Sequence, residues 1–447
     1  MNEKLNICIV GEVCVDLTLT DSSKENKLRF GGIVHAARAL WGLNIPYSMC
    51  YMGPDYFTND VEKFVLSHGA NVVEKIGNIV GSPNLILIEE PKEIGAQGYD
   101  FILRDEYEIT FDLSALSNRL SKNEFTDIVI FAGRFPLEPI IGICQQSHAR
   151  IYIDLGNSIR NLKELSSITT KIDTIFLSTS SEIFLKEYKG AINVLNKDIL
   201  ENYAKEFLFK ENRGGTRLFT NDTSSVIAIG AQSRSIVHSV GVGDCFDVAY
   251  LVFRNQFDKR VALTYASWIA SEYAVTTFPD DFRRGCNRVR KLSPEEIISL
   301  PGVNLPWEDR SGRNIYIAAP DFDYKDRSLI NKVVDCLQYH NFTPRLPIRE
   351  NGQMGLGASE DRKETLFEAD LSLISDSELI LAIHIENDPG TLIEIGLAKA
   401  MKIPVFVYDP YKLAENLMLT QLPNIISSDL DFIISKIFEQ LSKVHHE

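Results

Sequence analysis

The chain has 447 residues, 45% hydrophobic and 24% charged, with a formal net charge of −15. That length holds two or three domains, each with a core of its own. The acidity, with no Lys/Arg block to offset it, argues against a nucleic-acid partner, which needs clustered cations; small phosphorylated ligands need only a local group of N–H donors. The seven cysteines are scattered, with no Cys-x-x-Cys pair and no nearby His at zinc spacing. They read as core thiols in a reducing compartment. Residues 7–11 enter an apolar strand directly, too short for a signal-peptide core, and no apolar run approaches membrane-spanning length. The expectation is a cytoplasmic protein with no membrane partner.

In chain order, residues 5–16 read as a buried strand running through Gly11 to Asp16. Asp16 is either a turn carboxylate or an acceptor for polyol hydroxyls. Gly31 and Gly32 precede an Ala-rich helix beginning near His35, a pairing that lets backbone approach a ligand but that often marks only a turn. His35 reads as a capping or packed imidazole rather than a ligand contact. Residues 84–89, 100–103 and 107–111 look like strands outside the regular alternation, suited to a small sheet over a site. Strands at 127–131, 150–154, 174–177 and 217–220 then alternate with helical stretches, predicting a doubly wound sheet. Next, Gly241-Val242-Gly243-Asp244 opens a helix. Its N–H groups can converge on an anion while Asp244 takes a hydroxyl proton; a capped turn is the plain alternative.

Residues 300–312, rich in Pro, Gly and charge, read as a linker between domains at 1–299 and 313–447. Beyond it a strand carries Tyr316, a helix runs from about 325 to 339, and residues 348–361 are Gly-rich and read as mobile. A short apolar run at 379–385 then leads through Asp388 to a helix bearing Glu394, followed by a strand at 405–408. This βαβ crossover places the turn before its helix at the carboxyl edge of a parallel sheet, where open α/β folds bind ligands. Glu394 is there either a carboxylate stabilised by the helix dipole or a nucleophile held in a pocket. His340 and His384 read as structural.

Two resemblances follow from these residues. Residues 5 to about 297 resemble the ribokinase-like family of sugar and nucleoside kinases, through Gly11 to Asp16, Gly31-Gly32 with its helix, and Gly241-Val-Gly-Asp244. The resemblance implies a Rossmann-type sheet with a β lid. It also implies Asp244 as catalytic base, Gly241, Val242 and Gly243 around the nucleotide phosphates, Asp16, Gly31 and Gly32 on the substrate, and ATP with Mg²⁺. The chain departs from the family pattern at His238-Ser239, at His35, and at Thr179-Ser-Ser-Glu182, where Glu182 would organise Mg²⁺ indirectly. It departs again at residues 221–225, in place of a Gly-containing nucleotide turn.

Residues 313 to about 440 resemble the nucleoside 2-deoxyribosyltransferase family, through Tyr316, Ala369-Asp370-Leu, Asp388-x-Gly-x-x-x-Glu394 and Glu415-Asn416-Leu-Met418. That resemblance implies a flavodoxin-like parallel domain needing no cofactor. It implies Glu394 as nucleophile on the anomeric carbon, Tyr316 orienting it, and Asp370 and Asp388 managing the base. Asn416 would reach a neighbouring subunit's site in a homo-oligomer. The expected whole is a bifunctional enzyme acting on small nucleosides or nucleotides. The alternative is an N-terminal ligand sensor that gates a nucleotide-depleting glycosidase.

Overall fold

A computed structural model describes residues 5–443 apart from 20–25, 81–84, 97, 103–107, 157, 222–225 and 356. The expected nucleotide turn beyond Asn221, the first residue of the strand at 84, Tyr107 and the chain end at 445–447 lie outside the described residues. The chain divides into two compact units, Met1–Glu93 with Gln97–Asn304, and Ile94–Ala96 with Leu305–Glu447. Among the described residues no helix is long and apolar enough to cross a membrane. All seven cysteines are buried.

The first unit contains β1 (Ile7–Thr18), β2 (Lys27–Gly32), β3 (Tyr47–Gly53), β4 (Ala70–Val80), β5 (Leu85–Ile88), β6 (Tyr99–Ile102) and β7 (Glu108–Phe111). It continues with β8 (Asp127–Phe131), β9 (Arg150–Asp154), β10 (Ile172–Ser178), β11 (Ala204–Lys210), β12 (Thr216–Thr220) and β13 (Ile227–Ile229). The main sheet runs β13-β12-β11-β10-β9-β8-β1-β3-β4-β7. From β11 to β4 all neighbours are parallel. The central strands β3 and β8 are buried along their whole length, so they read as apolar runs rather than alternating ones.

Strand β1 does double duty. Its first half pairs with β3 and β8, and its second half pairs with β2 and β5 to make, with β6, a small side sheet. The third strand expected for that side sheet, β7, instead closes the main sheet antiparallel to β4. The alternation also stops earlier than the sequence suggests, because β11, β12 and β13 form an antiparallel meander. The helices Val34–Gly42, Val242–Arg254 and Lys259–Ala274 supply much of the core on this sheet.

The second unit is a five-stranded parallel sheet: β14 (Asn314–Ala318), β15 (Thr343–Arg345), β16 (Leu379–Ile383), β17 (Val405–Tyr408) and β18 (Ile425–Ser427). Its order, β15-β14-β16-β17-β18, is the flavodoxin order, with the direction of winding reversing between β14 and β16. Residues 305–312 are packed into this unit. Arg310 is fully buried, donates Nε to the Leu305 carbonyl at 3.0 Å and lies over the Phe438 ring.

Candidate active sites

At the β14/β16 reversal, Asp388 and Pro389 start the helix Pro389–Ala400. Proline has no N–H to satisfy at that position, and Asp388 caps the helix. Its Oδ2 accepts from the Thr391 N–H at 2.8 Å and from the Thr391 hydroxyl at 3.0 Å. A turn and a half later, Glu394 meets the strand in front of it: the buried Tyr316 hydroxyl donates to Glu394 Oε1 at 2.7 Å. Burial pushes the Glu394 carboxyl up to about 7, and the charges of Asp370 and Asp388 add to that, against the Tyr316 hydrogen bond. A carboxylate merely enjoying a helix dipole would titrate low. Desolvation has won here.

Burial also raises Asp370, while the Asn351 amide, donating to its Oδ1 at 2.8 Å, opposes the rise. Asn351 ends the short helix Pro347–Asn351 inside the stretch expected to be mobile. That helix is tied down by a two-pronged bond from Arg349 to the buried Asp321, at 2.6 and 2.8 Å. Asn416 sits apart. It is exposed and caps the helix Leu417–Gln421 through the Met418 N–H at 2.9 Å. Among the described residues no contact joins it to Glu394, Tyr316 or Asp370. His384 is fully buried with neither ring nitrogen hydrogen-bonded.

In the first unit, Gly241, at φ +77°, turns the chain into the helix Val242–Arg254. The Val242 N–H donates back to the Ser239 carbonyl at 3.1 Å. Asp244 stands in the first helical turn, and burial with the nearby Asp154 charge pushes it up to about 7 against the pull of Lys210. Lys210, ending β11, bridges Asp154 Oδ2 at 3.1 Å and Asp247 Oδ2 at 2.7 Å. Its ammonium lies close enough to Gly243 that a Cβ there would be 3.3 Å away.

Asp16 and Gly241 meet on one side chain, His35, and Gly31 lies against Asp16. Its Nε2 lies 2.9 Å from Asp16 Oδ2 and its Nδ1 2.7 Å from the Tyr273 hydroxyl. A Cβ on Gly31 would fall 1.9 Å from Asp16 Oδ1, and one on Gly241 only 2.2 Å from the His35 ring. Only glycine permits either approach. Gly32, at φ +58°, ends β2 opposite Val13. Burial pushes His35 down to about 4, so the ring is neutral at pH 7. Since a carboxylate only accepts, Nε2 carries the proton toward Asp16, and Nδ1 accepts from Tyr273. His238 is held down at about 3 by burial and Arg29.

Glu182 is bonded to Lys186 at 2.8 Å and lies 3.6 Å from Arg160, which with Lys186 keeps it below the usual carboxylate range. The neighbouring Thr179 hydroxyl is buried without a partner. Among the described residues no three metal-ligating side chains cluster.

Residues 315–421 match the family model of nucleoside 2-deoxyribosyltransferases. The matched span contains Tyr316, Asp370, Asp388, Glu394 and Asn416. A search of curated proteins returned no match. Among solved structures, the first unit is similar to a ribokinase from Giardia lamblia, at a TM-score of 0.50 and 15% identity, covering 64% of this chain and 100% of that one. A ribokinase from Thermotoga maritima scores 0.47 at 15% identity, covering 64% and 100%. An Arabidopsis thaliana ribokinase complexed with ribose and ATP scores 0.45 at 13% identity, covering 65% and 100%. The likeness to the Giardia protein gives the first unit a ribokinase-like fold.

Sequence reading missed Lys210, Asp154, Asp247, Tyr273 and Asn351. Asp154 and Lys210 each close a parallel strand at its carboxyl end, a position where ligand-facing groups collect; that placement was the available signal.

Proposed function

We propose that the C-terminal unit cleaves or exchanges the N-glycosidic bond of a (deoxy)nucleoside or nucleotide, with Glu394 as nucleophile. The observation that carries this reading is the Tyr316–Glu394 hydrogen bond at the sheet's reversal point, on a carboxyl pushed up to about 7. Breaking a C–N glycosidic bond develops positive charge at the anomeric carbon, which a carboxylate beneath it stabilises and then captures as an ester. Tyr316 holds one Glu394 oxygen so that the other faces the sugar. Burial raises the Asp370 carboxyl's hold on a proton, which suits it to hydrogen-bond or protonate the departing base nitrogen. A second base or water resolves the ester, giving transfer or hydrolysis. Asp388 fixes the helix start, and Asn416, exposed here, would complete a partner's site in a homo-oligomer.

For the N-terminal unit the reading is phosphoryl transfer from ATP to a sugar or nucleoside. Asp244 would be the base, and the helix start at Gly241-Val242-Gly243, beside Lys210, would hold phosphate charge. A second reading, a ligand-sensing unit that gates the glycosidase, is favoured by the consumption of Asp16 by His35 and of Glu182 by Lys186.

The test is a panel of nucleosides, deoxynucleosides and their monophosphates incubated with the full chain, with and without ATP, and resolved by chromatography. Free base or exchanged nucleoside is the expected product. Equal yield without ATP would remove any scheme requiring phosphorylation first, and no product from any member of the panel would overturn the reading.

A further inference from the structure

Asp16 and Asp244 are the two carboxyl groups a polyol would need in the first unit, one to hold its hydroxyls and one to take a proton. An imidazole bonds the first and packs on the backbone that leads to the second. The His35 ring touches the Asp16 carboxylate on one edge, and its flank is pressed against the Gly241 backbone that starts the Asp244 helix. Both Asp16 and His35 are 2% exposed. The remaining reach of Asp16 is taken by Arg29 Nε, 3.6 Å from Oδ2, and by the Cys14 thiol, 3.6 Å from Oδ1. The ring is fixed from behind by Tyr273, which is buried and packed edge-on against Phe282. Both ring nitrogens of His35 are bonded within the protein, and Arg38 Nη1 also lies 3.4 Å from Nδ1, so the ring is held where it is.

We infer that His35 occupies the acceptor position of the N-terminal site, so that this unit can hold a phosphate-bearing ligand at the start of the helix Val242–Arg254 but does not phosphorylate a polyol. His35 is on this account the residue that closes the acceptor position. It stands in for the hydroxyl that would otherwise bond Asp16. The inference rests on reading the unit as a phosphoryl-transfer fold, and it decides between the kinase and the sensor in favour of the sensor. Removing the imidazole reopens the path for transfer. The γ-phosphorus–oxygen bond of ATP breaks, a bond forms from that phosphorus to the polyol oxygen, the hydroxyl proton goes to Asp244, and ADP leaves.

The experiment compares the full-length wild type with His35→Ala and Tyr273→Phe. ADP formation from ATP is measured with and without D-ribose, myo-inositol or adenosine, and binding of a non-hydrolysable ATP analogue is followed by calorimetry. The wild type is expected to bind the analogue and show no saturable acceptor dependence. His35→Ala should gain acceptor-dependent ADP formation of about tenfold or more over wild type, the scale of one hydrogen bond to a charged group regained by a ligand. Tyr273→Phe removes the hydroxyl that anchors the ring's far edge, so the ring is no longer fixed against Asp16 and a smaller gain in the same direction is expected; it carries the test if His35→Ala fails to fold. Wild-type turnover of any of these acceptors as fast as the variants' would overturn the inference. So would folded, analogue-binding variants that gain nothing. Failure of all three proteins to bind the analogue would overturn both the inference and the phosphoryl-transfer reading beneath it.

Discussion

Each unit holds one carboxyl group in the opening turns of a helix, and burial pushes both Glu394 and Asp244 up to about 7. Their surroundings differ. Around Glu394 the neighbours leave room for chemistry: Tyr316 holds a single oxygen, and Asp370 is half-buried with one oxygen bonded to Asn351. Around Asp244 the neighbours bond one another, with Lys210 between Asp154 and Asp247 and His35 between Asp16 and Tyr273. A perturbed carboxyl is thus not by itself a working one. What separates the two is whether the groups that must meet substrate are still unspent.

The largest effect that can break this contrast is at Glu394. Glu394→Gln should lower glycosidic turnover by about 10⁴-fold or more, the scale of losing a nucleophile, measured as free base released, while binding of an ATP analogue is retained. A comparable loss from Asp244→Asn in the same assay would mean the two units are not separate in chemistry. Tyr316→Phe comes next. Removing a hydrogen bond to a charged group costs about 1.5–3 kcal/mol, so kcat/KM should fall roughly 10- to 100-fold. Because that bond lowers the Glu394 pKa, the acidic limb of the pH–rate profile, expected near pH 7, should move to higher pH. An unchanged limb would mean the hydroxyl only fills space.

Asn351→Ala should be milder, about three- to tenfold in kcat. It should raise the pKa of Asp370, which Asn351 holds down, and so shift the basic limb upward. The two limbs belong to the coupled pair rather than to either residue alone.

The smallest effect is on stability. Glu394 and Asp244 bind protons more tightly when folded, at about 7 against ordinary values of 4.5 and 3.8. The stability they contribute is therefore full below about pH 4 and is lost as pH rises through 7. Glu394→Gln should gain stability over wild type between pH 5 and pH 8, by on the order of 1–2 kcal/mol once partial exposure is allowed for. Urea titrations at the two pH values would measure it.

The helix start of the C-terminal site was legible in sequence because its parts are local, whereas Tyr316, 78 residues from Glu394, came only with the family resemblance. Asp388, Pro389 and Glu394 share one helix start, and the strands on either side of it are short apolar runs. The first unit was less legible where contacts span the chain. His35 and Tyr273 are 238 residues apart, and no spacing rule joins them. Strand β11 was missed because the helix Ile192–Asn202 runs almost directly into it and because it opens with Lys205 and Glu206. Glu206 is buried among Arg254, at 2.7 and 2.8 Å, Lys259 at 3.0 Å and the Thr174 hydroxyl at 3.3 Å. Losing that strand from the reading also hid Lys210 at its end. Asn351 was hidden differently, since a Gly-rich stretch around a five-residue helix resembles any loop.

The most direct test of the account is mass spectrometry of the chain quenched after brief exposure to a deoxynucleoside panel, followed by peptide mapping. The account predicts a single deoxyribosyl group on the peptide containing Glu394, absent from Glu394→Gln. Base release with the sugar attached to another side chain, or undiminished release by Glu394→Gln, would contradict it.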